Sequence, residues 1–233
     1  LQVTLIDFMG SDDRVADAAR VSFHKEASNY TKDQNQGLIN FLARNNHFTP
    51  FTHVQITLRE KVPIFVARQR FKHMVGFSYN EVSRRYVDDA PEFFTPDTWR
   101  KRPEGSVKQG SSDEFILKLQ WEIDKERYED GWIRSEFATK DVKELYLQFL
   151  DHAEWLYNTM IENEVAPEQA RMVLPQSMYT EYYTTGSLAA WARAYKLRID
   201  PHAQKEIQDL AKMWQDTIGN IKELDYSWKA LTE

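Results

Sequence analysis

His53–His73 reads HVQITLREKVPIFVARQRFKH, and its two halves follow different periods. From His53 to Arg59, apolar Val54, Ile56 and Leu58 alternate with Gln55, Thr57 and Arg59, the period-two pattern of a strand with one buried face. Pro63 then suits the first turn of a helix running towards His73, with Ile64, Ala67, Phe71 and Met74 at helical spacing. A half-buried strand therefore feeds directly into a helix.

Upstream, LQVTLIDF opens the chain as another strand, Ser11 with Asp12 and Asp13 marks a helix start, and LINFL at 38–42 supplies a short apolar helical face. Downstream, Val142, Leu145, Phe149, Leu150, Ala153, Tyr157 and Met160 lie on the strongest amphipathic helix, which is expected to be core. Asp200-Pro201 reads as the cap and first turn of a later helix carrying Ile207, Leu210, Ala211 and Trp214 on one face. Between about Thr95 and Asp141 the character shifts to KRPEGSVKQGSSDE and mixed charge, with a helical piece expected around Phe115–Trp121. This stretch is expected to be an irregular insertion at about 95–141, not a domain. Strands come early and helices dominate late, without a βαβ alternation, so the expected fold is α+β: a single mixed domain over 1–233 with a small sheet and several helices.

The chain has 233 residues, 42% of them hydrophobic and 28% charged, which suffices for a packed core and excludes wholesale disorder. It has no cysteine, which removes disulfides, thiolate metal sites and cysteine nucleophiles together. The eight glycines form neither a GxGxxG run nor a GxxxxGK loop, and the six histidines show no HxH or HExxH spacing. No metal is expected. No apolar run approaches the roughly 18 residues of a membrane span, and the N-terminal stretch lacks a basic segment followed by a long apolar one. A cytoplasmic protein is the expectation, with no membrane partner.

The formal net charge is −6, yet Arg59–Tyr86 holds seven basic residues against Glu60 and Glu81. A run of this kind is ordinarily a solvated face. Here Gln69, Lys72 and His73 are three and four residues apart, and GFSYNEVSRRY crowds Ser, Asn, Glu and two Arg behind them. Such a mixture suits a phosphorylated small molecule, because arginine binds phosphate bidentately and short polar groups read a base or sugar. Nucleic acid would want a broader basic surface. Near the C-terminus, Trp191, Ala194 and Tyr195 make one helical face that Arg198 continues. An arginine on that inward stripe fits a buried structural pair or a site equally well.

Six segments, in order, resemble the flavin-dependent thymidylate synthases: AARVSF at 18–23, HFTPFTH at 47–53, PIFVARQRFKH at 63–73, SYNEVSRRY at 78–86, ARMVLPQSMYT at 170–180 and LRIDPHAQKEI at 197–207. The resemblance implies reductive methylation of dUMP to dTMP, with 5,10-methylenetetrahydrofolate as carbon donor, FAD as hydride carrier and NADPH as reductant. It makes sense of the missing cysteine, since uracil must then be activated without a thiol adduct. By resemblance, Arg198 stabilises negative charge on the pyrimidine as the catalytic residue. Gln69, Lys72, Glu81, Ser83, Arg84, Arg85 and Arg171 join it in contacting dUMP, with Arg85 and Arg171 at the phosphate. Ser22, Thr49, Lys72, His73, Met74, Glu81, Ser187, Ala189, Arg193 and His202 fall where the family touches FAD. The family's Arg-His-Arg signature is represented by Lys72-His73-Met74, with eight residues before Ser83 in place of seven. Ser187 and Ala189 stand where the family usually has Asn and Arg. The resemblance also implies a homotetramer with shared active sites. A flavin- or nucleotide-binding protein that has lost catalysis is the alternative; a purely structural helical partner would leave the polar sets around Lys72 and SYNEVSRRY unexplained.

Overall fold

The computed structural model describes residues 1–87, 89–104, 111–127 and 133–233, and for 122–127 and 133–137 the backbone alone. In chain order the main elements are β1 (Gln2–Met9), α1 (Asp12–Arg20), α2 (Lys32–Arg44), β2 (Gln55–Pro63), α3 (Ile64–Arg70), β3 (Phe77–Glu81), β4 (Lys118–Arg127), β5 (Ile133–Asp141), α4 (Val142–Glu162), α5 (Pro167–Ala170), β6 (Tyr179–Ser187), α6 (Leu188–Arg198), α7 (Lys205–Ile218) and α8 (Asp225–Thr232). The class is mixed α+β with antiparallel sheets. The chain divides into two compact units, one of Leu1–Ser83 with Tyr179–Glu233, the other of Arg84–Met178. No helix among the described residues is long and apolar enough to cross a membrane.

The first unit is built on a four-stranded antiparallel sheet of order β1-β2-β6-β3. The alternation read from His53–Arg59 is the observed one: Val54, Ile56 and Leu58 are fully buried, and the same face continues through Glu60 and Val62. On the opposite face of β2 and β6, Thr57 meets Thr185 at 2.9 Å and Arg59 pairs with Glu181, so polar side chains line it. Trp191, Trp214 and Trp228, from α6, α7 and α8, are fully buried in the core behind the apolar face. The α6 start is fixed to the start of β2 by Leu188 N donating to Val54 O at 3.0 Å, and Trp191 Nε1 donates to Ile56 O at 3.1 Å. Ser11 caps α1 as its sequence indicates.

Two boundaries in this unit differ from the sequence reading. α3 ends at Arg70, short of His73, and the chain turns through Gly76, whose φ of +81° is open to glycine at little cost. A Cβ at Gly76 would also lie 2.9 Å from the Ala190 Cβ. α7 begins at Lys205 and not at Pro201, because Asp200 Oδ1 accepts from His202 N at 2.8 Å and Ala203 N bonds Asp200 O at 2.9 Å. That local turn competes with the helix for the same backbone groups.

In the second unit the piece expected to be helical around Phe115–Trp121 is extended: β4 enters a two-stranded hairpin with β5, in which Lys118 pairs with Asp141 and Trp121 with Ala138. Lys118, Leu119, Gln120 and Trp121 alternate polar and apolar, a period-two signal within the stretch taken as irregular. Residues 105–110 and 128–132 of that stretch lie outside the described residues. α4 follows, with Asp141 capping Lys143 N and Glu144 N. Its core face is narrower than expected. Val142, Leu150, Ala153 and Tyr157 are buried, whereas Phe149 is 52% exposed. Consecutive helical residues point about 100° apart, so Phe149 and Leu150 cannot share one narrow stripe.

Candidate functional site

The helix-period stripe of α6 positions Arg198. Ser187 caps the helix, its hydroxyl accepting from Ala190 N at 3.2 Å, and Trp191 and Ala194 are fully buried below the half-buried Tyr195. Arg198 closes the stripe at the last turn, partly buried. Its Nε donates to His73 Nε2 at 2.8 Å and its Nη2 to the Gln69 carbonyl at 3.4 Å. Among the described residues no carboxylate pairs with it.

An acceptor at Nε2 requires a deprotonated imidazole nitrogen there. His73 satisfies this: burial first, then the charges of Arg198, Arg70 and Arg193, push it down to about 4 from the usual 6.5. Burial and the neighbouring Arg70 lower Arg198 from its ordinary value. Gln69, the last residue but one of α3, is tied through its side-chain amide to Gln204 Oε1 at 2.6 Å. The result is a cation held in a fixed orientation by neutral groups, an arrangement able to stabilise negative charge developing beside it.

Behind His73 lies a fully buried ion pair. Arg70 and Glu60 are both 0% exposed, with Arg70 Nε to Glu60 Oε2 at 3.2 Å. The carboxylate also accepts from Trp214 Nε1 and from Thr184 Oγ1, the latter at 3.4 Å. The guanidinium lies over the rings of Phe77, Trp191 and Trp214 at 4.4, 4.6 and 4.8 Å. The basic run includes Arg70 among the groups expected around an anion site; the structure makes it a core residue instead. The sequence carries a signal for this, because strict alternation from Val54 takes the buried face to Glu60 and so demands a buried counter-charge.

The residues expected at FAD occupy several places in the first unit. Ser22 and Thr49 line one cavity of about 460 Å³ together with His47 and His53. Lys72 and Met74 are exposed on the turn after α3, Met74 by 74%. Arg193 donates to the Val75 carbonyl of that turn, and Ser187 N to the Gly76 carbonyl at 3.1 Å. Ala189 is half-buried against the core, and His202 is exposed, paired with Asp200 at 2.9 Å. Two cations at one turn, Lys72 and Arg193, with the Ser187 hydroxyl beside Gly76, form a donor set that fits an anionic dinucleotide flavin. Met74 and Ala189 contribute no charge to it.

Of the residues expected at dUMP, Gln69 and Arg198 are brought together. Glu81 accepts from Thr180 Oγ1 at 2.6 Å across β3 and β6, and Ser83 is half-buried. Arg84, Arg85 and Arg171 belong to the second unit. There Arg84 donates to the Asp89 and Ala90 carbonyls, Arg85 stacks over Tyr86 at 5.0 Å and Arg171 Nε donates to Glu168 O at 3.3 Å.

Comparison with known proteins places these features in a family. The family model described as thymidylate synthase complementing protein matches residues 4–221. A flavin-dependent thymidylate synthase of Thermosipho melanesiensis is 38% identical over 208 residues, covering 89% of this chain and 80% of the relative. One of Thermus thermophilus is 33% identical over 235 residues, covering 99% and 75%. Among solved structures, the UMP/dUMP methylase PolB from Streptomyces cacaoi with bound 5-Br dUMP has a TM-score of 0.77 at 28% identity, covering 99% of this chain and 94% of that one. The same methylase with 5-Br UMP gives 0.72 at 26%, covering 99% and 93%. A chain without cysteine, matched over nearly its whole length and carrying an arginine on neutral supports at the end of α6, belongs to the thymidylate synthase complementing family.

Proposed function

We propose that the chain catalyses the reductive methylation of dUMP to dTMP with 5,10-methylenetetrahydrofolate as carbon donor and NADPH as reductant. The observation that carries this reading is Arg198, held by His73 and Gln69 with no carboxylate among the described residues to neutralise it, in a protein with no thiol to activate uracil. Arg198 stabilises negative charge on the pyrimidine as C5 forms its bond to the folate methylene carbon and later gives up its proton. A preorganised cation in a water-poor site lowers such a barrier by about 3–4 kcal/mol. Gln69, Lys72, Glu81, Ser83 and Arg84 orient dUMP, and Arg85 with Arg171 neutralise its phosphate. FAD bound here would supply hydride transfer between NADPH and the transferred carbon. Ser22, Thr49, Lys72, His73, Met74, Glu81, Ser187, Ala189, Arg193 and His202 would hold it, with Lys72 and Arg193 as its cations. The working unit in this reading is a catalytic domain over 1–233, in a cytoplasmic homotetramer with active sites shared between subunits.

Product analysis with FAD in excess, dUMP, methylenetetrahydrofolate and NADPH tests the proposal: dTMP is expected, and bound flavin with no dTMP leaves a binding protein without catalysis. UMP belongs in the same assay, because the similar solved methylase is described with both UMP and dUMP. Calorimetry of Arg85→Ala and Arg171→Ala is expected to show weakened dUMP binding with an unchanged flavin spectrum. Wild-type affinity in both would remove the phosphate assignment.

A further inference from the structure

His73 lies beyond the end of α3, so no helical ladder fixes it. Its N–H bonds the Arg70 carbonyl at 3.1 Å, and its own carbonyl accepts from the Tyr79 hydroxyl at 2.6 Å. That hydroxyl accepts from Arg70 Nη1 at 2.6 Å and has the Arg70 carbonyl as a second acceptor at 3.3 Å. Arg70 is immobile in turn, locked onto Glu60 and four aromatic rings. The Tyr79 ring packs edge-on against Phe71 at 5.0 Å. A continuous chain of hydrogen bonds thus runs from Glu60 through Arg70 and Tyr79 to the His73 backbone, and from the His73 imidazole to Arg198.

We propose that Tyr79 is a positioning residue for the methylation step: its hydroxyl fixes the His73 turn so that the neutral imidazole holds the Arg198 guanidinium towards uracil. The proposal rests on the reading of Arg198 as the uracil-activating group. Donation from the Arg70 cation polarises the Tyr79 O–H and strengthens its bond to the carbonyl. Burial pushes the phenol up to about 12, so it remains a donor throughout the working pH range. A displacement of the imidazole moves Arg198 with it, and small errors in the placement of a catalytic group carry large rate costs.

The test is a double-mutant cycle on the flavin-loaded full chain, with Tyr79→Phe, Arg198→Ala and the double variant. Tyr79→Phe is expected to slow single-turnover dTMP formation by prereduced enzyme about tenfold, a larger factor than any change in flavin reduction by NADPH or in calorimetric dUMP affinity. In the Arg198→Ala background the same substitution is expected to change the rate by less than about twofold, because its effect passes through Arg198. Equal slowing in both backgrounds, or equal slowing of flavin reduction, would overturn the proposal and reduce Tyr79 to a filler of the Arg70 pocket. A wild-type rate in Arg198→Ala alone would overturn the reading of Arg198 and the proposal with it. Thermal unfolding reports whether Tyr79→Phe folds. Arg70→Lys, which keeps a cation opposite Glu60 but lacks the fork to reach both Glu60 and Tyr79, should slow the same step and spare flavin reduction.

Discussion

Arg70 and Arg198 stand at the C-terminal ends of two helices in the same unit, and His73 has both within its electrostatic reach. Arg70 is wholly buried and bonded to a carboxylate; Arg198 is partly exposed and bonded to an imidazole and a carbonyl. The difference decides what each charge can do. A guanidinium bonded to a carboxylate inside the core is closed to any ligand and serves the fold. One fixed by neutral acceptors keeps its field and its outward edge for an incoming anion.

The largest effect that can break this comparison is on stability. Arg70→Met leaves the Glu60 carboxylate buried without its cation and should cost about 3–5 kcal/mol in denaturant unfolding, of which the double variant Glu60→Gln/Arg70→Met should recover a part. A loss below about 1 kcal/mol would mean that the pair is not the structural element its burial indicates. Arg198→Ala should do the reverse: an intact fold, flavin reduction nearly unaffected, and single-turnover dTMP formation lower by about a hundredfold or more. Arg198→Lys should rescue poorly, since it retains charge without the planar fork. A rate near that of wild type in Arg198→Ala would shift the activating role to the Lys72/His73 cluster.

Smaller effects sharpen the contrast at the exposed rim. Met74→Arg adds a third cation to the turn that carries Lys72 and meets Arg193, and calorimetry on flavin-stripped protein should show FAD binding tightened by about 1.5–3 kcal/mol. No tightening would mean that Met74 does not occupy the signature arginine position. A further effect is the pH dependence contributed by His73. Because its folded value lies near 4 and its usual value is 6.5, the unfolded chain takes up the proton first as pH falls through this window. The contribution is complete above about pH 6.5 and declines towards about pH 4. His73→Gln should flatten the fall of thermal stability in that window; identical slopes for variant and wild type would show that His73 is protonated without strain.

Much of the first unit was legible because its signals are local. The alternation from Val54 to Leu58, the Ser11 cap and the Trp191/Ala194/Arg198 stripe each need only a few neighbouring residues to be read. The alternation that buries Val54, Ile56 and Leu58 reaches Glu60 as well, but what balances that carboxylate, Arg70 and a Trp214 that lies 154 residues away, is tertiary and no local pattern displays it. Tyr79 is hidden for a different reason: its partners are close in sequence, but they are backbone carbonyls that composition does not display. The β4–β5 hairpin was hidden by the mixed-charge stretch before it, although Leu119 and Trp121 carry the strand period. In α4 the apolar residues outnumber the positions one helical face can bury, so pattern alone overstated the core. The family resemblance located the candidate site, and the hydrogen bonds supplied what holds it.

The position of β6 between β2 and β3 has a consequence for how the protein is made. β6 starts at residue 179, yet it pairs along all of β2, from Gln55 with Ser187 to Pro63 with Tyr179, and along β3 from Phe77 to Glu81. During synthesis both earlier strands therefore present unpaired edges while the whole Arg84–Met178 unit is still being added. Asp12 is held open in the same way, because its partners are the Tyr226 and Ser227 amides at the start of α8. Pairing at such separations makes the sheet a late and slow event, with open strand edges that a nascent chain exposes to its neighbours. Arg198 and its supports thus come into register only after the second unit has been synthesised, so the site is absent from every shorter intermediate.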